Sequence, residues 1–483
     1  MRHPVRSLIL VLVVFSALPG GTVALEGAAF EIEFATGELA SLAFAPEAGR
    51  VAVTAVPLRD GEAPAVLDLW PQQILAADAQ LVVHGERGAE IVPFPRHRQF
   101  AGEIRGEAGS RAVVTVLEDG EVRGVVSSGA EHWLFQDFGG DLALAAVDAG
   151  YLPEASGGFA CDGALEVPAS ALEAIGAVDA PSAPVASEAG AQYTARVAVE
   201  TDFEYYAKFN NVSNAIAYIY GLLGYSSTVY AAEISTSLLV SHVSLRTTSS
   251  DPWNETGSYC ALFEFGRWWN NNQGSIPRTL AHMLSGKGTG GGIAWVGVLC
   301  SGAFTTSHGG SCPNLTPQSS NYGGAYSFVG SISGSFNPAN PAVMWDIMAS
   351  AHEMGHNFAS RHTHCYNNVG GNANPIDGCY NTESGCYSGT AGLPGIGTVI
   401  GGTSGQGNGT IMSYCHLRGG GYSNVTMTFG TTHPYGVLAS RVPAVMQAHV
   451  ASRAAANPSC FIPSLFTDGF ETGLVPPWSA KRP

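Results

Sequence analysis

From residue 288 to residue 345 the chain carries no Asp, Glu, Lys or Arg, and is rich instead in Gly, Ser, Thr and Asn. Such a surface has no basic patch, which excludes nucleic acid as a partner. Long hydrophobic runs are also scarce. After the stretch Leu8 to Leu18, no segment is long and apolar enough to cross a bilayer. Cysteine is almost missing from the front half, where Cys161 stands alone, and net charge is almost missing from the back half. From Ala191 onward there are 13 acidic and 12 basic residues, against 26 and 10 before it, so −1 and −16 make up the net −17. The contrast implies two separately built units, an acidic front and a neutral back.

What is present begins with an export signal. Arg2 and Arg6 precede the apolar stretch, and Thr22-Val23-Ala24 supplies small residues for cleavage, so residues 1–24 read as a secretory leader. The expected location is extracellular. Cys260, Cys300, Cys312, Cys365, Cys379, Cys386, Cys415 and Cys460 form an even set in the back half. That suits four disulfides in an oxidising compartment, with the pairing left open.

The densest chemistry lies at His352-Glu353-Met354-Gly355-His356, with His362 six residues on. Two histidines at i and i+4 share one side of a helix and can reach one metal ion. Glu353, beside the first, can polarise a water molecule without binding the metal. Six residues from His356 to His362 let the chain leave the helix, turn back and supply a third nitrogen. Three protein ligands leave the fourth position of Zn²⁺ open, which marks a catalytic site. Asn340-Pro341 reads as the N-cap and first residue of the helix, and Val343, Met344, Ile347, Met348 and Ala351 give its apolar stripe.

HEMGHNFASRH resembles the metzincin zinc signature HExxHxxGxxH, and HEMGHN is similar to the reprolysin and adamalysin branch. The family's methionine turn is matched by Gly409-Thr410-Ile411-Met412-Ser413-Tyr414-Cys415. The resemblance, over about residues 193–460, implies a zinc-dependent endopeptidase acting on protein or peptide substrates. It implies Met412 as a hydrophobic floor beneath the metal. Tyr414 stands where astacins and serralysins carry a zinc-proximal tyrosine, and the other reading is a buried packing residue. In metzincins the strand at Gly292-Ile293-Ala294-Trp295 is the sheet edge that holds substrate; the competing reading is a strand buried on both faces. Glu200 and Asp202 fall where reprolysins have acidic residues that include a Ca²⁺ ligand. One departure is Ala359 in place of the usual glycine, at a point where the family needs left-handed backbone. The turn could therefore differ in geometry, with His364 as the substitute ligand for His362.

The expected fold is α+β. A zincin-like catalytic domain, residues 193–460, has a twisted mixed sheet, an active-site helix and a loop-rich lower subdomain stapled by disulfides. Residues 25–167 form an acidic β-rich prodomain, with a hairpin about Asp119-Gly120. Residues 168–192 form an exposed linker where maturation cleaves, and residues 461–483 form a tail. Within the catalytic unit, strands are expected at Ala195 to Val199, Ser237 to Leu245 and Ile293 to Leu299, with helices at Asn214 to Leu223, Phe263 to Asn271 and Arg278 to Leu284. Such a layout suggests a zymogen whose prodomain is its own inhibitor; a permanent accessory domain is the alternative. Cys161 could close the zinc site as a thiolate, the device the resemblance suggests, or be an inert buried thiol. The rival function is a non-catalytic binding or adhesion protein with a structural zinc. Glu353 argues against it, because a structural site has no use for that carboxylate.

Overall fold

The computed structural model describes residues 30–34, 38–45, 49–138, 141–147, 164–168 and 193–462. The expected leader, Cys161, nearly all of the linker and the tail lie outside the described residues. None of the described helices is long and apolar enough to cross a membrane.

The front half supplies β1 (Phe30–Glu33), β2 (Val51–Val56), β3 (Ala65–Pro71), β4 (Leu75–Gly85), β5 (Gly88–Val92), β6 (Arg98–Ile104), β7 (Arg111–Val116), β8 (Val122–Ser128), β9 (Glu131–Phe138), β10 (Asp141–Ala146) and β11 (Ala164–Leu165). The β7–β8 hairpin turns at Asp119-Gly120 as its sequence demands, with Gly120 at φ +91°. Eight of these strands make one sheet in the order β1-β2-β3-β6-β7-β8-β9-β10.

The back half contributes β12 (Tyr193–Thr201), α1 (Phe203–Ala207), α2 (Val212–Ile234), β13 (Thr236–Arg246), α3 (Ser258–Asn272), β14 (Leu280–Leu284), β15 (Gly292–Trp295), β16 (Phe304–Ser307), β17 (Ser319–Gly323), β18 (Tyr326–Val329), α4 (Val343–Asn357), α5 (Arg441–Ala456) and β19 (Phe461–Ile462). The second sheet runs β11-β15-β18-β14-β12-β13-β4-β5, with β19 also on β12. It is mixed: β18, β14, β12, β13 and β4 run parallel to one another, while β15 is antiparallel to β18, β19 to β12 and β5 to β4. The four disulfides are Cys260–Cys312, Cys300–Cys460, Cys365–Cys386 and Cys379–Cys415. The last two staple the loops after α4, where little regular structure holds the chain.

Four expectations need correction. Arg278 to Leu284 is not helical. Leu280–Leu284 is a strand buried between β12 and β18, and a continuous apolar run of that length reads the same in either state. The helix that carries His352 and His356 begins at Val343, with Ala342 before it, and Asn340-Pro341 forms the preceding turn. α2 extends past Leu223 to Ile234, because its second half is buried, Ser226 and Ser227 included. Finally, the two halves are not separately built. β4 and β5 of the front half complete the second sheet beside β13, and one hydrophobic cluster contains Leu81, Val113, Val125 and Leu134 together with the residues of α2.

Candidate metal centre

α4 is buried along its whole length, as a helix crossing a core must be, and this carries His352 and His356 into the interior one turn apart. The helix stops at Asn357. Ala359 N–H donates to the His356 carbonyl at 2.8 Å and Ser360 N–H to Gly355 at 3.1 Å, the paired bonds of a Schellman ending. Such an ending needs left-handed backbone after the cap, and Ala359 adopts it at φ +75°. The alanine therefore does not change the turn, and His362 arrives beside the helix.

The three imidazoles are fixed through their Nδ1 atoms. His352 Nδ1 lies 2.7 Å from the Ile411 carbonyl, His356 Nδ1 2.7 Å from the Ser360 carbonyl, and His362 Nδ1 2.7 Å from Oε2 of Glu383. These oxygens only accept, so each Nδ1 carries the proton and each neutral ring presents a bare lone pair at Nε2. The three rings converge with one ligand atom each inside 4.8 Å. His352 Nε2 and His356 Nε2 stand 3.1 Å apart with no proton to share, and the buried Nε2 of His362 has no hydrogen-bond partner. A proton is a poor remedy, since burial first, and neighbouring imidazoles second, pull His352 well below its ordinary pKa and His356 down to about 3. Burial also lowers His362, against the pull of Glu383. Three converging lone pairs in a buried site call for a cation, and three protein nitrogens, which leave a fourth position to water, suit Zn²⁺.

His364 does not join them. Its Nε2 donates to the same Glu383 oxygen at 2.7 Å, and its ring stacks on His362 at 5.3 Å. Tyr414 is buried with its ring centroid 4.4 Å from His362 and 6.2 Å from His352, so it packs against the cluster. Met412 lies beneath α4. A Cβ on Gly355 would sit 2.6 Å from its sulfur, which is why that helical position holds glycine. Its carbonyl accepts the N–H of Thr363, tying the methionine turn to the third histidine.

Glu353 is fully buried against the start of β15. A Cβ on Gly292 would be 2.4 Å from Glu353 Oε1, so the strand can approach the carboxylate only with glycine there. Asn357 Nδ2 donates to the carbonyls of Trp295 and Tyr326, both at 2.9 Å, and so locks α4 to β15 and β18. Ile293, Ala294 and Trp295 are buried, and β15 is no free edge in the intact chain. β18 flanks one side, and β11 pairs with the other in parallel, Ala164 opposite Ala294 and Leu165 opposite Trp295. Glu166 then reaches Arg361 at 2.9 Å, next to His362, and Val167 is buried.

Sequence reasoning missed Glu383 and Asn357. Only one signal pointed to Glu383: it is the last carboxylate before Asp468. The calcium expectation gains no support from the geometry. Glu200 accepts from Arg246 Nε at 2.8 Å and Trp269 Nε1 at 3.0 Å, while Asp202 caps α1 through Tyr205 N–H and also accepts from Ser285 and Gly286. Each carboxylate is spent on separate protein partners.

The reprolysin-type model of metallo-peptidase family M12 matches residues 191–427. No curated protein matches the chain. Among solved structures, the crystal structure of metalloproteinase-II from Bacteroides fragilis is 11% identical, covering 72% of this chain and 93% of its own with a TM-score of 0.36. A likeness that loose carries no weight here, whereas the family match spans the converging histidines and the methionine turn. Residues 191–427 make up a metzincin-like zinc metalloprotease domain of the family M12 type.

Proposed function

We propose that the protein is a secreted endopeptidase, made as a latent preproenzyme, with His352, His356 and His362 as zinc ligands and Glu353 as general base. The observation that carries the site assignment is the convergence of three unprotonated Nε2 atoms beside a buried carboxylate. Zinc held there supplies a Lewis acid for the scissile carbonyl and lowers the pKa of water. Glu353 takes the proton of the attacking water and returns it to the departing amine nitrogen. β15, once uncovered, can hold a substrate peptide in extended form through its backbone groups. Met412 and Tyr414 shape the floor and one wall of the imidazole cluster.

Latency is supported by the cover on β15. While Ala164 and Leu165 pair with the strand, no substrate can do so. Cys161 precedes Ala164 by three residues, a reach of at most about 10 Å, and Ala164 lies opposite a residue two positions from Gly292. A thiolate so tethered can occupy the open zinc position. Four disulfides and a leader sequence agree with export.

The test is hydrolysis of an unfolded protein by chain cut within 168–192. Activity should disappear with a zinc chelator and return with added Zn²⁺. A correctly folded, zinc-loaded, cut protein that leaves every peptide bond intact would favour a binding protein instead.

A further inference from the structure

The protease sheet is finished by strands it does not encode in its own half. β13 is buried almost throughout, and its outer neighbour is β4, in parallel register from Leu75 opposite Val240 to His84 opposite Arg246. β5 then closes against β4. Taking β4 away would leave the backbone N–H and C=O groups of β13 without partners, an open template for aggregation.

α2 depends on the front half in the same way. It packs on β13 with one side and receives β6 and β7 on another, so both sides are buried. The approach is close: a Cβ on Gly224 would lie 2.4 Å from Gln99 Nε2. Gln72 Nε2 donates to the Gly224 carbonyl at 3.1 Å, and Tyr225 OH donates to Ser127 Oγ at 2.8 Å. At the end of α2, Glu233 pairs with Arg111 of β7 at 3.1 Å, both side chains largely buried. The other oxygen of Glu233 accepts the N–H groups of Phe429, Gly430 and Thr431 at 3.0, 3.0 and 3.2 Å, in the segment that follows the methionine turn. The front half thus braces the loop beneath the metal centre through one carboxylate.

The cover on β15 is held far more lightly. Among the described residues it consists of a two-residue pairing, one buried side chain at Val167 and a half-exposed Glu166–Arg361 pair of the kind that contributes little. We propose that the front half, residues 30–147, is a permanent strand-donating part of the folded protease. A cut in residues 169–192 then gives a two-chain enzyme, from which only the short segment on β15 has to withdraw. This rests on the protease reading for the need to uncover β15, but not for the association itself.

The experiment uses the full-length, zinc-loaded chain with a recognition sequence for an added protease inserted within residues 169–192. After complete cutting, size exclusion with light scattering in native buffer should give one species with the mass of the uncut chain, resolved into two bands only by denaturant. Hydrogen exchange at β13 amides should stay within about twofold of the uncut protein. Pieces that separate in native buffer, with residues 193–483 eluting as a folded monomer, overturn the proposal. Arg111→Ala removes one partner of the buried pair and should speed dissociation of the cut pieces about tenfold or more. An unchanged dissociation rate overturns the assigned interface. Neither readout involves hydrolysis, so an inactive enzyme would count against the protease reading alone.

Discussion

His362 donates its Nδ1 proton to Oε2 of Glu383 across 2.7 Å, and the neighbouring His364 donates to the same oxygen. A carboxylate behind a metal-binding imidazole fixes its tautomer and strengthens its lone pair. The Cys365–Cys386 disulfide closes three residues after each partner and keeps the two loops together. Burial opposes the charge on Glu383, yet the two imidazole donors hold its carboxyl well below the ordinary range.

Glu383→Gln should therefore weaken zinc binding about 10–100-fold without unfolding the protein. Competition against a coloured chelator measures this directly. His362→Ala should lose zinc at stoichiometric concentration, and His364→Ala should keep it. Retention by the first and loss by the second would exchange their roles.

Glu353→Gln should retain zinc and the fold and lower kcat by about 10²–10⁴, the range for removing a general base. The amide is nearly the same shape and cannot take the proton. Metal content and turnover measured on one preparation separate this from a damaged site. Full turnover would transfer the base role to another group.

Ala359→Gly should stabilise the protein by about 0.5–1 kcal/mol. Left-handed backbone costs an L-residue about 1–2 kcal/mol, offset in part by the greater freedom of glycine in the unfolded chain. Denaturant unfolding reads the difference. A destabilised variant would mean that the Cβ, which lies 3.5 Å from where a Cβ on Gly297 would be, contributes packing that outweighs the strain.

The histidine cluster was legible because its determinants are local. His352, Glu353 and His356 are placed by helical periodicity alone, and His362 follows from chain reach. Ala359 obscured the turn, since its strain is overcome by tertiary bonds that no local pattern records. Glu383 was hidden for a related reason: it comes from a loop whose position depends on a disulfide, and sequence leaves that pairing open. The crossing of β4 into the second sheet was the least visible. A strand's pattern names its buried face and not its neighbour. Charge composition then pointed the wrong way. The acidic residues of the front half sit mostly on its solvated surface, while β4, β7 and the buried side chains between them join the common core.

His132 gives the intact chain a pH dependence. It lies on β9, fully buried, with Nδ1 2.9 Å from Ser127 Oγ and its ring edge-on to Tyr422 of the back half. Burial lowers its pKa to about 4. Between that value and about 6.5 the unfolded chain binds the additional proton, so stability rises with pH across this window and is lost as pH falls through it. The upper bound is about 3 kcal/mol for this one group. His84 and His242, on the paired strands β4 and β13, are lowered to about 4 by burial and by Arg246 or Arg278 nearby, and act in the same direction. His132→Gln should shrink the stability difference between pH 7 and pH 4.5 by at least about 1 kcal/mol. An undiminished difference would assign the pH dependence to the other buried histidines, His84, His242, His282 and His449 among them.

The proposed latency could arise in two ways, from the Cys161 thiolate or from the pairing of Ala164 and Leu165 with β15. In an uncut chain, made resistant by substitutions within 168–192, Cys161→Ala should raise hydrolysis if a thiolate fills the fourth zinc position. Thiol-modifying reagents should do the same before any peptide bond is cut, and the eight paired cysteines should not respond. Glu166→Lys places like charges beside Arg361 and should loosen the pairing of Leu165 with Trp295, and with it access to β15. Its effect belongs to KM, because it frees the strand that binds peptide, whereas that of Cys161→Ala belongs to kcat, because it frees the reacting position. Both changes together should therefore exceed either alone. A chain equally latent with and without Cys161, but awakened by Glu166→Lys, would make the cover on β15 the whole of the inhibition.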